Sequence, residues 1–192
     1  MPINGLLFQE HLIQYSACTL GHMKTGSLFR ILKSELPNYE ECMRYFCDLC
    51  TPFGYRIMIL KETNAFCLIY VYDRMKLEHM LSNAAIQNFL STFGYEDFTV
   101  PGALHHLKRS MQEEEFPHEV GIFLGYPLQD VRAFLSPERN QKYLLVGYWK
   151  VYSRLRSNQK KFYRYDCLNR TMQRKAADGA SMESILESMN PR

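Results

Sequence analysis

Residues 55–61 (Tyr-Arg-Ile-Met-Ile-Leu-Lys) and 65–72 (Ala-Phe-Cys-Leu-Ile-Tyr-Val-Tyr) are rich in β-branched and aromatic side chains, with a polar break between them at 61–64. Such a pair reads as two antiparallel strands joined by a turn. A third stretch of this kind, 143–152, supplies another strand. Elsewhere the apolar spacing is helical. In 37–50, Tyr39, Cys42, Met43, Phe46, Cys47 and Cys50 recur at intervals of three and four. The same period predicts helices at 6–15, 75–81, 84–93, 103–111 and 127–135, and through the basic segment after Ser157. Thr25, Gly26 or Ser27 would cap a further helix through Leu28, Phe29, Ile31 and Leu32. The expected fold class is α+β: a small, largely antiparallel three-stranded sheet (about 55–61, 65–72 and 143–152) packed by several helices.

At 192 residues the chain is long enough for one domain around one core. That domain is expected to span 1–175, with its last helix basic. Residues 176–192 are small and polar apart from Met182, Ile185 and Leu186, and are expected to form a loosely attached tail. With 46% hydrophobic and 22% charged residues, disorder and fibrous structure are excluded as the main state. Mean hydropathy is −0.30, and no apolar run approaches the roughly 18 residues of a membrane span. The opening residues lack the features of a signal peptide. The six cysteines therefore read as reduced thiols, and a cytoplasmic location is expected.

Charge is unevenly spread. Residues 1–149 carry thirteen Lys and Arg against sixteen acids, whereas 150–175 carry nine against Asp166 alone. A block this basic attracts phosphates, acidic proteins or anionic lipid. Phe162, Tyr163 and Tyr165 lie among Lys160, Lys161, Arg164, Arg170 and Arg174, a composition suited to nucleic acid. The same pattern is also that of a helix with a solvated cationic face and an apolar stripe of Phe162, Tyr165, Leu168 and Met172.

The remaining motifs are less specific. Cys42, Cys47 and Cys50 have the spacing of three ligands of a plant-type iron–sulfur site. The residues between them are bulky and helix-compatible, which favours core packing, and no metal is assigned. His22, His105, His106 and His118 match no local metal motif. Gly21 to Ser27 resembles a phosphate loop in composition but follows no strand. His118-Glu119 pairs a base with a carboxylate; without a second His at 122 it is no zinc-protease motif, and a helix after Pro117 would place Glu119 favourably in its first turn.

One longer motif is more specific. The run from Phe116 through Pro117-His118-Glu119-Val120-Gly121-Ile122-Phe123-Leu124-Gly125-Tyr126-Pro127 to Val131 resembles the signature of a bacterial family known as domain of unknown function 3793. Thr19-Leu20, Lys24 to Phe29 and Gly147 to Tyr152 agree with it, and the resemblance covers about residues 6–170. The family pattern opens on His-Cys followed by Ala-Pro-Thr-Leu; here Tyr15 and Ser16 take the first two places and Cys18 stands at the proline. The resemblance implies no established activity. It does give weight to Lys24, His118, Glu119, Gly125, Tyr126, Trp149 and Lys150 as positions of interest.

The leading expectation is a non-enzymatic cytosolic binding or accessory domain with a pocket for a small anionic ligand, or a surface for a partner protein; no cofactor is named. Lys24, Thr25, Ser27, Gly125, Tyr126, Trp149 and Lys150 are its ligand-binding candidates, with the lysines supplying charge and the rings supplying walls. One alternative is a small-molecule enzyme or redox accessory protein in which His118 and Glu119 do acid–base work. Another is nucleic-acid binding through the basic 150–175 segment.

Overall fold

The computed structural model describes residues 1–136 and 142–189. Helix α1 (Gly5–Leu20) leads into β1 (Gly26–Leu32), α2 (Tyr39–Cys50) and the hairpin of β2 (Tyr55–Glu62) with β3 (Phe66–Asp73). Helices α3 (Arg74–Leu81), α4 (Ala84–Ser91), α5 (Val100–Ser110), α6 (Val120–Phe123) and α7 (Leu128–Leu135) follow. A small hairpin of β4 (Leu145–Val146) and β5 (Lys150–Val151) precedes the long α8 (Leu155–Ala177) and the final α9 (Met182–Met189). The main sheet is antiparallel in the order β1-β3-β2. No helix among the described residues is long and apolar enough to cross a membrane.

Strand alternation gives the main sheet a core on each face, and a smaller third cluster gathers Cys18, Trp149, Val151, Phe162 and Tyr165. In β3, Cys67, Ile69 and Val71 face one side, joining Phe8, Leu12 and Ile13 of α1 and Phe46 of α2. On the other side Tyr70, flanked by Leu68 and Tyr72, meets Leu77, Leu90, Leu104, Leu107 and Phe123 from the α3–α6 helices. Both faces of the central strand are thus covered, which explains why its sequence is an unbroken apolar run. Each fully buried Leu, Ile or Phe contributes about 1.5–3 kcal/mol relative to exposure.

The third strand is not the one the sequence suggests. The 143–152 stretch stays out of the main sheet and folds on itself, pairing only Leu145 with Val151 and Val146 with Lys150. Its turn crosses Phe162 so closely that a Cβ on Gly147 would lie 2.4 Å from that ring. The third strand is β1, paired from Gly26↔Tyr72 to Leu32↔Phe66. Its residues Leu28, Phe29, Ile31 and Leu32 fit helical spacing too. The competing signal, burial of alternate Ser27, Phe29 and Ile31, is blurred because Leu28 packs into the opposite core.

Within 176–192, for which the sequence suggests loose attachment, α9 inserts Met182, Ile185 and Leu186 into the first core, each no more than 1% exposed. The buried Gln9 of α1 holds its start: the Met182 amide donates to Gln9 Oε1 at 3.1 Å, and Gln9 Nε2 donates to the Ala180 carbonyl at 3.2 Å. Residues 190–192 of that stretch lie outside the described residues.

Candidate functional site

Two tight turns meet at the edge of the sheet. After α6 the chain reverses at Gly125, whose φ of 77° suits glycine, with Gly125 N–H donating to Ile122 and Tyr126 N–H to Gly121. The α1–β1 turn lies against it: a Cβ on Gly125 would come within 3.0 Å of the Thr25 amide and hydroxyl. A Cβ on Gly26 would strike the Tyr70 ring and the Phe123 carbonyl. That carbonyl accepts the Tyr70 hydroxyl at 2.8 Å. Bare backbone at both glycines lets Thr25-Gly26 and Phe123-Gly125 dock.

Tyr126, just beyond this junction, stacks on Trp149 with ring centroids 5.1 Å apart. The other side of the indole meets Phe162 edge-on at 4.6 Å. Trp149 Nε1–H donates to Asp130 Oδ2 at 2.9 Å. Asp130 Oδ1 accepts the Tyr152 amide at 3.0 Å, the Ser153 amide at 3.1 Å and the Ser153 hydroxyl at 3.2 Å. One carboxylate, 1% exposed, therefore ties α7 to the β4–β5 hairpin and to the approach of α8.

Between α6–α7 and that hairpin lies a cleft of about 280 Å³, lined among others by His118, Tyr126, Phe134, Trp149 and Lys150. His118 is exposed and sits between the rings of Phe116, at 5.8 Å, and Phe134, at 5.2 Å. Lys150 Nζ lies 5.2 Å from the Phe134 ring centroid and 5.8 Å from that of Tyr143. The cleft thus has aromatic walls and two basic groups at its edge.

The other candidates lie elsewhere. Glu119 turns away from His118 into the second core, where its carboxylate, 4% exposed, accepts the Tyr95 hydroxyl at 3.3 Å. Lys24 sits behind the cleft with Nζ 5.5 Å from the Tyr126 centroid, and among the described residues it forms no ion pair. Burial lowers its pKa to about 8, with nearby Cys18 opposing the shift. Cys18 itself is pushed up to about 11, chiefly by burial, so it is a thiol at neutral pH. Its Sγ approaches Asn169 Oδ1 at 3.5 Å and the Tyr165 carbonyl at 3.8 Å. The Thr25 carbonyl accepts the Asp73 amide, and the Ser27 hydroxyl pairs with that of Thr19 at 2.8 Å in a buried contact.

The segment composed like a phosphate loop closes α1. The amides of Gly21, His22, Met23 and Lys24 donate to carbonyls of Ala17, Thr19, Cys18 and Cys18. They satisfy the electronegative end of a helix and do not point at an anion. Cys42 and Cys50 are buried in the first core, and the Cys47 thiol donates to the Ile57 carbonyl at 3.4 Å. Among the described residues no group of three or more His, Cys, Asp or Glu is placed to hold a metal ion.

The model of the family described as Protein of unknown function (DUF3793) matches residues 12–186. The chain belongs to this family. The match includes both tight turns, the cleft, α8 and the first half of α9, so the site lies wholly within the family domain. No curated protein and no solved structure matches the chain.

Of the sequence candidates, His118, Tyr126, Trp149 and Lys150 share the cleft, while Lys24, Thr25, Ser27, Gly125 and Glu119 do not line it. Phe134 lines the cleft outside the stretches the sequence singles out, and Phe116 and Asp130 line it without being individual ligand-binding candidates. Phe134 falls in an apolar helical pattern that reads as core, yet it is 42% exposed. Asp130 reads as an ordinary first-turn acid; no local signal links it to an indole nineteen residues away.

Proposed function

We propose that this chain is a binding domain whose cleft takes a small molecule with a flat apolar body and an acidic group. The observation that carries this reading is the lining itself: Tyr126, Trp149 and Phe134 as walls, with Lys150 and His118 beside them. Aromatic walls with a few polar groups suit a small-molecule site. The volume, about 280 Å³, is near the lower end of such sites at roughly 300 Å³ and fits a one- or two-ring ligand.

Two details favour holding over chemistry. His118 faces rings, with Glu119 turned away, so the pair is not arranged for proton transfer. Both oxygens of Asp130, the carboxylate in the lining, already accept hydrogen bonds. The protein contains one tryptophan, so emission from Trp149 reports on the cleft directly.

Titration with benzoate and 4-hydroxybenzoate, followed by Trp149 emission and calorimetry, tests the proposal. Saturable 1:1 binding is expected, weakened about tenfold by Lys150→Ala or His118→Ala at unchanged melting temperature. Benzamide, lacking the charge, should bind more weakly than benzoate. Failure of both acids to produce a saturable change, or equal affinity for the amide, would remove this reading.

A further inference from the structure

A second concave surface lies between the α1–β1 turn and the first half of α8. It encloses about 470 Å³ and is walled by His22, Lys160, Lys161 and Arg164, with Met23 and Tyr165 contributing apolar surface. Lys160 and Arg164 are four residues apart on α8, so both project to the same side. All three α8 cations are exposed, and among the described residues none is in an ion pair. No carboxylate lines the basin among the described residues.

The nearby acids are already engaged, Asp73 with His22 of the basin wall itself. Asp73 accepts His22 Nδ1–H at 2.6 Å and the Lys76 amide at 3.0 Å. Asp130 is held by Trp149, Tyr152 and Ser153 and exerts only a longer-range pull on Lys161. Lys161 Nζ lies 5.6 Å from the Trp149 ring centroid.

Charge and shape select the occupant. Lys160, Lys161 and Arg164 supply three positive charges, while His22 is already paired with Asp73. One phosphate carries about −1.5 to −2 charges and would leave part of this unmatched. Two linked phosphates match it within one basin. Arg170 begins about 9 Å further along α8 at 1.5 Å per residue, and Arg174 approaches Asp178 at 3.9 Å; neither lines the basin. We infer that this basin binds the diphosphate group of a small phosphorylated ligand, at a site separate from the aromatic cleft.

Calorimetric titration of the full chain with inorganic pyrophosphate at about 50 mM salt tests this. Saturable 1:1 binding is expected, at least about tenfold tighter than for orthophosphate. Lys160→Ala and Arg164→Ala should each weaken it about tenfold, and Arg164→Glu should abolish it, all at unchanged melting temperature. The Arg170→Ala/Arg174→Ala double variant should stay within about twofold of the parent, and Lys150→Ala should have no effect. An adenine nucleoside diphosphate and a short polyphosphate, titrated separately, distinguish two sources of the same chemistry. Absence of saturable binding overturns the inference. So does a single-stranded oligonucleotide that outcompetes pyrophosphate and depends equally on Arg170 and Arg174, since the ligand would then follow the whole helix.

Discussion

Trp149 and Asp130 form one buried pair, with indole Nε1–H donating to carboxylate Oδ2 at 2.9 Å, and it ties α7 to the β4–β5 hairpin beside the cleft. The carboxylate fixes the face of the indole presented to Tyr126. Through its other oxygen it fixes where β5 ends and the approach to α8 begins. Replacing Asp130 by Asn leaves the volume intact but removes the charge and one acceptor, stranding a buried donor. Asp130→Asn should destabilise the protein by about 2–3 kcal/mol, and Trp149 emission should shift to the red as the hairpin loosens. Chemical denaturation and fluorescence measure both.

Lys24 is the costly cation of the fold. It is 9% exposed, and burial lowers its pKa from 10.5 to about 8. The protonated form is therefore disfavoured in the folded state by about 3 kcal/mol, at 1.36 kcal/mol per pKa unit. The contact with Tyr126 offsets about 1 kcal/mol of this. Lys24→Met should stabilise the protein by about 2 kcal/mol at pH 7. Between pH 8 and 10.5 the unfolded chain binds the extra proton, so parental stability rises with pH and the advantage of the variant shrinks. Melting temperatures across that range check the sign.

Asp73 shows a dependence of the same sign in the acid range, since its folded pKa is also lowered. Burial pushes its pKa up, but the His22 ring and the Lys76 amide outweigh burial and hold it below its ordinary 3.8. A depressed carboxylate contributes stability above its unfolded pKa and loses it as pH falls through the folded one. Asp73→Asn keeps a helix-capping side chain for α3 but loses the charged partner of His22. It should cost about 1–2 kcal/mol at pH 7, with the deficit closing below about pH 4 in acid-unfolding experiments.

Ser16 Oγ is buried and has no hydrogen-bond partner among the described residues. Ser16→Ala removes that unsatisfied hydroxyl at little loss of volume. A gain of about 1 kcal/mol in urea unfolding, with an unchanged slope, is expected. A loss of stability would mean that the hydroxyl is satisfied in solution.

Leu186 is fully buried in the first core, near the end of the chain. Leu186→Ala should destabilise the whole protein by about 2–4 kcal/mol. One cooperative transition is expected, because α9 shares its core with α1, α2 and the main sheet. A separate early transition for α9 would instead show the helix to be an independent flap.

Much of the fold is legible locally. The β2–β3 hairpin and helices α2, α3, α4, α5 and α7 follow from periodicity, because each buries a face whose spacing matches its own geometry. The run around Phe116–Val131 carries the family resemblance in its residue order, and the family match bears it out. The spacing of Leu28, Phe29, Ile31 and Leu32 predicts a helix, but the structure makes this stretch strand β1, because these residues satisfy two periods at once. Only its partner β3 decides between them, by supplying backbone hydrogen bonds from Gly26 to Leu32.

The sequence by itself determined most of the element types and the family, and it singled out Tyr126, Trp149, Lys150 and His118 as candidates. Each of these is a side chain whose chemistry is visible in isolation. Tertiary structure decided which of them share a cleft, turned Glu119 and Ser27 inward, and made Asp130 the buried tie of the site. The physical reason is that burial and hydrogen-bond partners depend on chain segments distant in sequence. A carboxylate reads the same on paper whether it ends in water or beneath an indole.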